Sequence, residues 1–248
     1  MRSIVACLLL MCCTAVMAAP ATPDYAREKR WAEEITPQLM VGDAVYLTQK
    51  NGHKFLALYT TADNAPVALI VVHGLGVNPN WGLIHALRSE LADAGYTTLS
   101  VQMPVLAADA KGDQYPPLFP DAADRLDVAY HFLRGKGYKK IAIVSHSMGS
   151  RMTNYFLNHD PNDTMAAWVA IGMPGAYSDP QTLKMPILDL YGEHDLPVVL
   201  ENAKKREAEL QKIRGSAQIQ AAGADHFFNS RDKELIGYVK AFLDMKLK

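Results

Sequence analysis

Within 141-IAIVSHSMGSRM-152 three serines, Ser145, Ser147 and Ser150, close an apolar run that carries a single glycine, Gly149. A serine hydroxyl becomes a nucleophile only where a base takes its proton. A sharp strand-to-helix turn with small flanking residues presents it best. Of the three, only Ser147 has a glycine two residues away. Gly149 follows it, and Ser145, itself small, stands where a preceding glycine is commonly found. Ser145 is flanked at that spacing by Ile143 and Ser147, and Ser150 by Met148 and Met152. Ser147 is therefore the candidate nucleophile, and the competing reading is a serine that only caps a helix start.

Partners for such a hydroxyl are a histidine to accept the proton and a carboxylate to orient that histidine. The apolar segment 185-MPILDLYGEHD-195 ends on Glu193, His194 and Asp195, and 217-AQIQAAGADHFF-228 ends on Asp225 and His226. The order Ser147, Asp195, His226 places acid and base at later strand ends than the nucleophile. Glu193 is the reserve acid: it comes only two residues after the strand, whereas Asp195 lies further into the turn, within reach of a neighbouring loop. His146 and His194 adjoin the proposed nucleophile and acid in sequence, so their side chains are expected to point elsewhere, and Asp225 is expected to shape its turn. In 71-VVHGLGVNPNW-81 a fourth strand end runs into glycine-containing backbone. Acyl transfer needs two N–H groups aimed at the developing oxyanion, and the amides of Leu75 and Met148 are the expected pair. His73 is expected to be a buried histidine bonding loop backbone.

The elements that would position these groups alternate along the chain. A short helix is expected over 24–38, capped by Asp24. A hairpin follows through Asn51-Gly52, a pair suited to a turn with positive φ at both positions. Then come strands near 65–74, 97–103, 140–145, 166–173, 185–191 and 217–221, and helices near 81–95, 122–134, 148–158, 200–214 and 231–246. Such alternation implies a mostly parallel sheet with helices on both faces, whose reactive groups gather at the carboxyl ends of the strands. About a dozen residues separate the strands near 173 and 185, too few for a helical cap. The longer insertion, 105–124, offers Tyr115, Leu118 and Phe119 as walls of a substrate pocket, with a proline-rich surface loop as the alternative.

Composition narrows the classes further. A chain of 248 residues, 49% hydrophobic, is ample for one core. Arg2, the apolar stretch 4–17 and the small residues Ala18, Ala19 and Ala21 read as an export signal cut after 18 or as late as 21; the apolar run is too short for a spanning helix. The expected organisation is a signal over 1–18, an extension with a short helix over 19–42, and one domain over 43–248. Cys7, Cys12 and Cys13 all fall in the signal, which leaves no thiol for catalysis or metal binding afterwards. Loss of Arg2 takes the net charge from −1 to −2, against nucleic acid as a partner. The run 201-ENAKKREAELQKIR-214 interleaves its signs like a solvated helix face. The oxygen-rich 158-NHDPNDT-164 lacks the ordered spacing of a calcium loop, so no metal and no cofactor is expected.

Through "HGLG", "SHSMG", "YGEHD" and "GADHFF" the chain resembles the α/β-hydrolase superfamily from about residue 43 to its end. Within it the chain is similar to small secreted bacterial members of unknown function. It departs from the usual pattern in Ser145 for a glycine and in a short HGLG where many lipases and esterases have HGGG. The resemblance implies an uncapped α/β-hydrolase fold with an antiparallel N-terminal hairpin. It also implies an exported serine hydrolase, periplasmic or secreted and without a membrane anchor after processing, that acts on small or medium acyl esters. An acyltransferase or peptidase on the same three residues, or a non-catalytic binding protein on this fold, are the alternatives.

Overall fold

The strand Val67–Val72 (β3) is buried along its whole length, as its unbroken apolar sequence requires of a strand covered on both faces. In the computed structural model, which describes residues 22–159 and 165–248, β3 lies in the middle of an eight-stranded sheet. The other strands are Asp43–Thr48 (β1), Lys54–Thr60 (β2), Thr97–Val101 (β4), Lys140–His146 (β5), Trp168–Ile171 (β6), Ile187–His194 (β7) and Ala217–Asp225 (β8), in the order β1-β2-β4-β3-β5-β6-β7-β8. The β1–β2 and β2–β4 pairs are antiparallel and all others parallel. The segments 1–21 and 160–164, with the expected signal and its cut sites, its three cysteines and most of the 158–164 stretch, lie outside the described residues.

Alternation along the strands divides the core in two. Ala68, Ile70 and Val72 face a cluster with the helices Phe119–Gly135 (α3) and Met148–His159 (α4), while Val67, Leu69 and Val71 face one with Gly82–Asp93 (α2) and Asp232–Leu247 (α7). The helix Tyr25–Ile35 (α1) is capped by Asp24, whose carboxylate accepts the Arg27 N–H at 2.9 Å, and it ends in a 3-10 turn at Thr36–Gln38.

Several local expectations change. In the β1–β2 turn only Gly52 has positive φ (87°); its N–H bonds the Gln49 carbonyl, and Asn51 acts through its side chain, which accepts the His53 N–H at 2.8 Å. The expected helix over 200–214 is two short ones, Pro197–Leu200 (α5) and Ala203–Leu210 (α6). Its charged run is not wholly solvated, because Arg206 is buried with its Nε donating to Asp189 at 2.8 Å. Helix α3 begins at Phe119, straight after the turn Pro116–Leu118, so the insertion is shorter than 105–124.

Candidate active site

Ser147 sits between β5 and α4 with φ 55°, a left-handed backbone that costs energy for a residue with a Cβ and survives only where its surroundings impose it. One constraint is Gly149. A Cβ there would lie 2.3 Å from the His73 carbonyl oxygen and 2.9 Å from that of Val72, so α4 can cross β3 this closely only without a side chain. The three serines separate by environment. The hydroxyls of Ser145 and Ser150 are 3.0 Å apart and fully buried, and Ser145 Oγ also accepts the Trp168 indole N–H at 2.8 Å. Ser147 Oγ instead faces His226 Nε2 at 2.9 Å.

The far side of the imidazole completes a line. His226 Nδ1 donates to Asp195 Oδ1 at 2.5 Å, and that carboxylate also accepts the N–H of Leu196 at 2.8 Å and of Gly192 at 3.1 Å. A carboxylate fixed by two amides is a rigid acceptor, and it holds the proton of a neutral ring on Nδ1, leaving Nε2 open to a serine proton. Strand β7 runs on to His194 with an irregularity between Gly192 and His194, and this delivers Asp195 rather than Glu193 to the ring. Glu193 is exposed and accepts the Gly223 N–H at 2.7 Å; His194 is exposed as well. Gly172, after β6, leaves room for the imidazole, since a Cβ there would come within 3.0 Å of the His226 ring. Asp225 accepts the N–H groups of Phe227 and Asn229 at 3.0 and 3.1 Å and so shapes the turn that carries His226.

Two further histidines frame the site. His73 is buried; its Nε2 accepts the Met103 N–H at 2.9 Å, which leaves Nδ1 to donate to the Gly74 carbonyl at 2.9 Å. Burial pushes its imidazole down to about 4. The Gly74 carbonyl and the Leu75 N–H share one planar peptide, so this bond also sets the direction of that N–H. A Cβ on Gly74 would lie 3.0 Å from Ser147 Cβ, which brings the loop against the serine. Among the described residues no acceptor within the chain takes the N–H of Leu75 or of Met148.

His146 is the residue that sequence reasoning undervalued. Its ring does not turn away: it lies 4.7 Å from that of His226, with Nε2 donating to the His226 carbonyl at 2.9 Å. Burial and the neighbouring His226 push it down to about 3, so it is a neutral prop for the backbone that carries His226. Its only sequence signal was its place beside Ser147. The expected pocket walls need correction too. Tyr115, Leu118 and Phe119 are buried in the core with Met148 and Met152, because the turn before α3 folds them inward, and the Tyr115 hydroxyl accepts the Leu106 N–H at 3.2 Å. Among the described residues no three His, Cys, Asp or Glu side chains form a group that could hold a metal.

The family described as "Protein of unknown function (DUF3530)" matches residues 7–116, a span that includes α1 and the HGLG loop and ends before Ser147. No curated protein matches the chain in sequence. Solved structures do match in shape. A dienelactone hydrolase from Anabaena variabilis is 18% identical with a TM-score of 0.70, covering 83% of this chain and 97% of its own. A lidless α/β serine hydrolase from Xanthomonas campestris is 16% identical with a TM-score of 0.66, over 83% and 95%. An esterase from Pyrococcus furiosus is 15% identical with a TM-score of 0.67, over 83% and 93%. Sheet order, the strained serine turn after β5 and these likenesses together establish that the chain has the α/β-hydrolase fold, with a mostly parallel sheet, an antiparallel N-terminal hairpin and no cap domain among the described residues.

Proposed function

We propose that the chain is an exported serine hydrolase, a carboxylesterase that acts on small or medium acyl esters through an acyl-enzyme. One observation carries the reading: Ser147 Oγ, His226 and Asp195 stand in a hydrogen-bonded line, with 2.9 Å and 2.5 Å between partners. Ser147 Oγ attacks the ester carbonyl as its proton passes to His226 Nε2. The oxyanion forms against the N–H groups of Leu75 and Met148. Collapse breaks the bond to the alcohol, which leaves with the proton from His226; water then repeats the sequence on the acyl-serine and restores the free hydroxyl. The likeness in fold to an esterase and to a lidless serine hydrolase supports this chemistry.

The rim of the site supports an apolar ester. Five of the eight large hydrophobic side chains exposed among the described residues follow β3, β7 or β8 around the line: Leu75, Trp81, Leu196, Val198 and Phe227. Trp81 and Phe227 meet edge to face at 5.5 Å, and Phe227 lies 4.9 Å from the His226 ring. Exposed apolar side chains gathered about an uncapped site favour substrates that cover them. Export rests on the signal-like residues 1–18.

A fluorophosphonate probe should label the mature protein at Ser147 and leave Ser147→Ala unlabelled. That variant should lose several orders of magnitude in turnover across p-nitrophenyl esters of graded chain length. Normal activity in Ser147→Ala would sink the reading.

A further inference from the structure

Helix α1 precedes the sheet, yet its first turn reaches the loops of the candidate site. Arg27 Nη2 donates to the Gly76 carbonyl at 2.9 Å, and its Nη1 to the Leu106 carbonyl at 2.8 Å. Gly76 belongs to the loop after β3, which carries Leu75; Leu106 belongs to the loop after β4. Next to this contact the Asp24 N–H donates to the Val105 carbonyl at 2.7 Å. We propose that Arg27 is a positioning residue for the oxyanion site: it holds the far end of the HGLG turn, so that the Leu75 N–H keeps its aim in the transition state. The proposal rests on the serine-hydrolase reading above.

Leu75 lies between Gly74 and Gly76, and Gly76 has φ 64°, a conformation that costs glycine nothing and gives it no reason to stay there. A Gly-Leu-Gly turn can rotate its peptides unless both ends are tied. The near end is tied by His73, which donates to the Gly74 carbonyl. The far end is tied by Arg27 at the Gly76 carbonyl. The Leu75 side chain is exposed, so packing does not orient its peptide. A donor pre-aimed at the oxyanion costs no reorganisation during reaction, whereas a free one must be ordered each time.

Arg27 is itself held. Its guanidinium lies 4.5 Å from the centre of the Trp31 ring, one helical turn on. Glu28, the next residue, is buried in a two-point pair with Arg125 at 3.0 and 3.1 Å. Arg125 also donates to the Gln102 carbonyl, next to Met103, whose N–H binds His73. Helix α1 is therefore anchored in the layer that orients His73, and a fork with two donors in one plane suits two carbonyls on separate loops. A cavity of about 810 Å³ opens beside the contact, lined by Asp24, Leu106, Asp109 and Lys111 among others.

The test compares wild type with Arg27→Ala and Arg27→Lys as full chains, each checked for fold by circular dichroism and thermal melting. In folded Arg27→Ala, kcat for p-nitrophenyl acetate should fall about ten- to a hundredfold, with KM within about twofold, as expected for a misaimed oxyanion donor. Affinity for a trifluoromethyl ketone, which forms the oxyanion on binding, should fall by the same factor, with the pH profile of kcat unmoved. Arg27→Lys keeps one donor and should lie between. Unchanged kcat in a folded variant, a loss in KM alone, or unfolding of both variants would overturn the clamp. If the wild type itself is not labelled by fluorophosphonate, the serine-hydrolase reading fails and takes the clamp with it; a labelled wild type matched in rate by Arg27→Ala fails the clamp alone.

Discussion

At Asp195 the carboxylate meets one imidazole N–H and two backbone N–H groups, while Glu193, two residues earlier, is engaged by the Gly223 amide. The two acids therefore predict opposite outcomes. Asp195→Asn keeps the shape but offers His226 a group that can donate, which favours the wrong tautomer; kcat on p-nitrophenyl acetate should drop by about 10⁴. Glu193→Gln should stay near wild type, since its bond to the amide survives in neutral form. Steady-state kinetics on the pair decides between the acids, and the reverse pattern would move the orienting role to Glu193.

At the scale of the element, the turn from β5 into α4 explains why Ser145 replaces the usual glycine. Its hydroxyl accepts the Trp168 indole N–H at 2.8 Å and meets Ser150 Oγ at 3.0 Å, all in the core beneath Ser147. The side chain thus ties β5 to β6 and to the first turn of α4. Ser145→Gly would restore the commoner motif and leave a buried indole N–H without a partner, at a cost of about 1–3 kcal/mol. Urea unfolding should show that loss, with turnover no better than wild type. A stabilised or faster Ser145→Gly would mean that the hydroxyl has no part in holding the turn.

For the whole molecule, two imidazoles buried behind the site link stability to pH. His73 is held at about 4 and His146 at about 3, both by burial first, against about 6.5 in an unfolded chain. Between those values the unfolded chain binds protons that the folded one refuses, so stability rises with pH across that window and falls on acidification below about 6.5. Each ring can account for roughly 3 kcal/mol or more of that fall by the time its folded value is reached. Unfolding free energies from urea titrations between pH 4 and 7 should slope accordingly, and His146→Gln, which can still donate to the His226 carbonyl, should flatten the slope. A wild-type profile flat over that range would contradict the burial of both rings as neutral species.

The sheet and the chemistry on offer are already legible in local motifs and periodicity. Unbroken apolar runs such as 67–72 require strands covered on both faces, Asn51-Gly52 requires a reversal, and alternation with helices requires parallel strands whose ends face one way. From that frame it follows that Ser147, Asp195 and His226 are candidates for one place, and the fold brings them there. Those signals are local or periodic, so a linear reading can find them. What depends on neighbours distant in the chain follows from the packing of the layers. The irregularity in β7 chooses the acid that meets His226, and the packing of α3 turns Tyr115, Leu118 and Phe119 into the core. Arg206 leaves a charged run to pair with Asp189, His146 reaches the main chain of a residue 80 positions later, and Arg27 joins two loops 49 and 79 positions away. None of these leaves a periodic mark in the sequence, because each depends on parts of the chain whose distance is set only when the layers close.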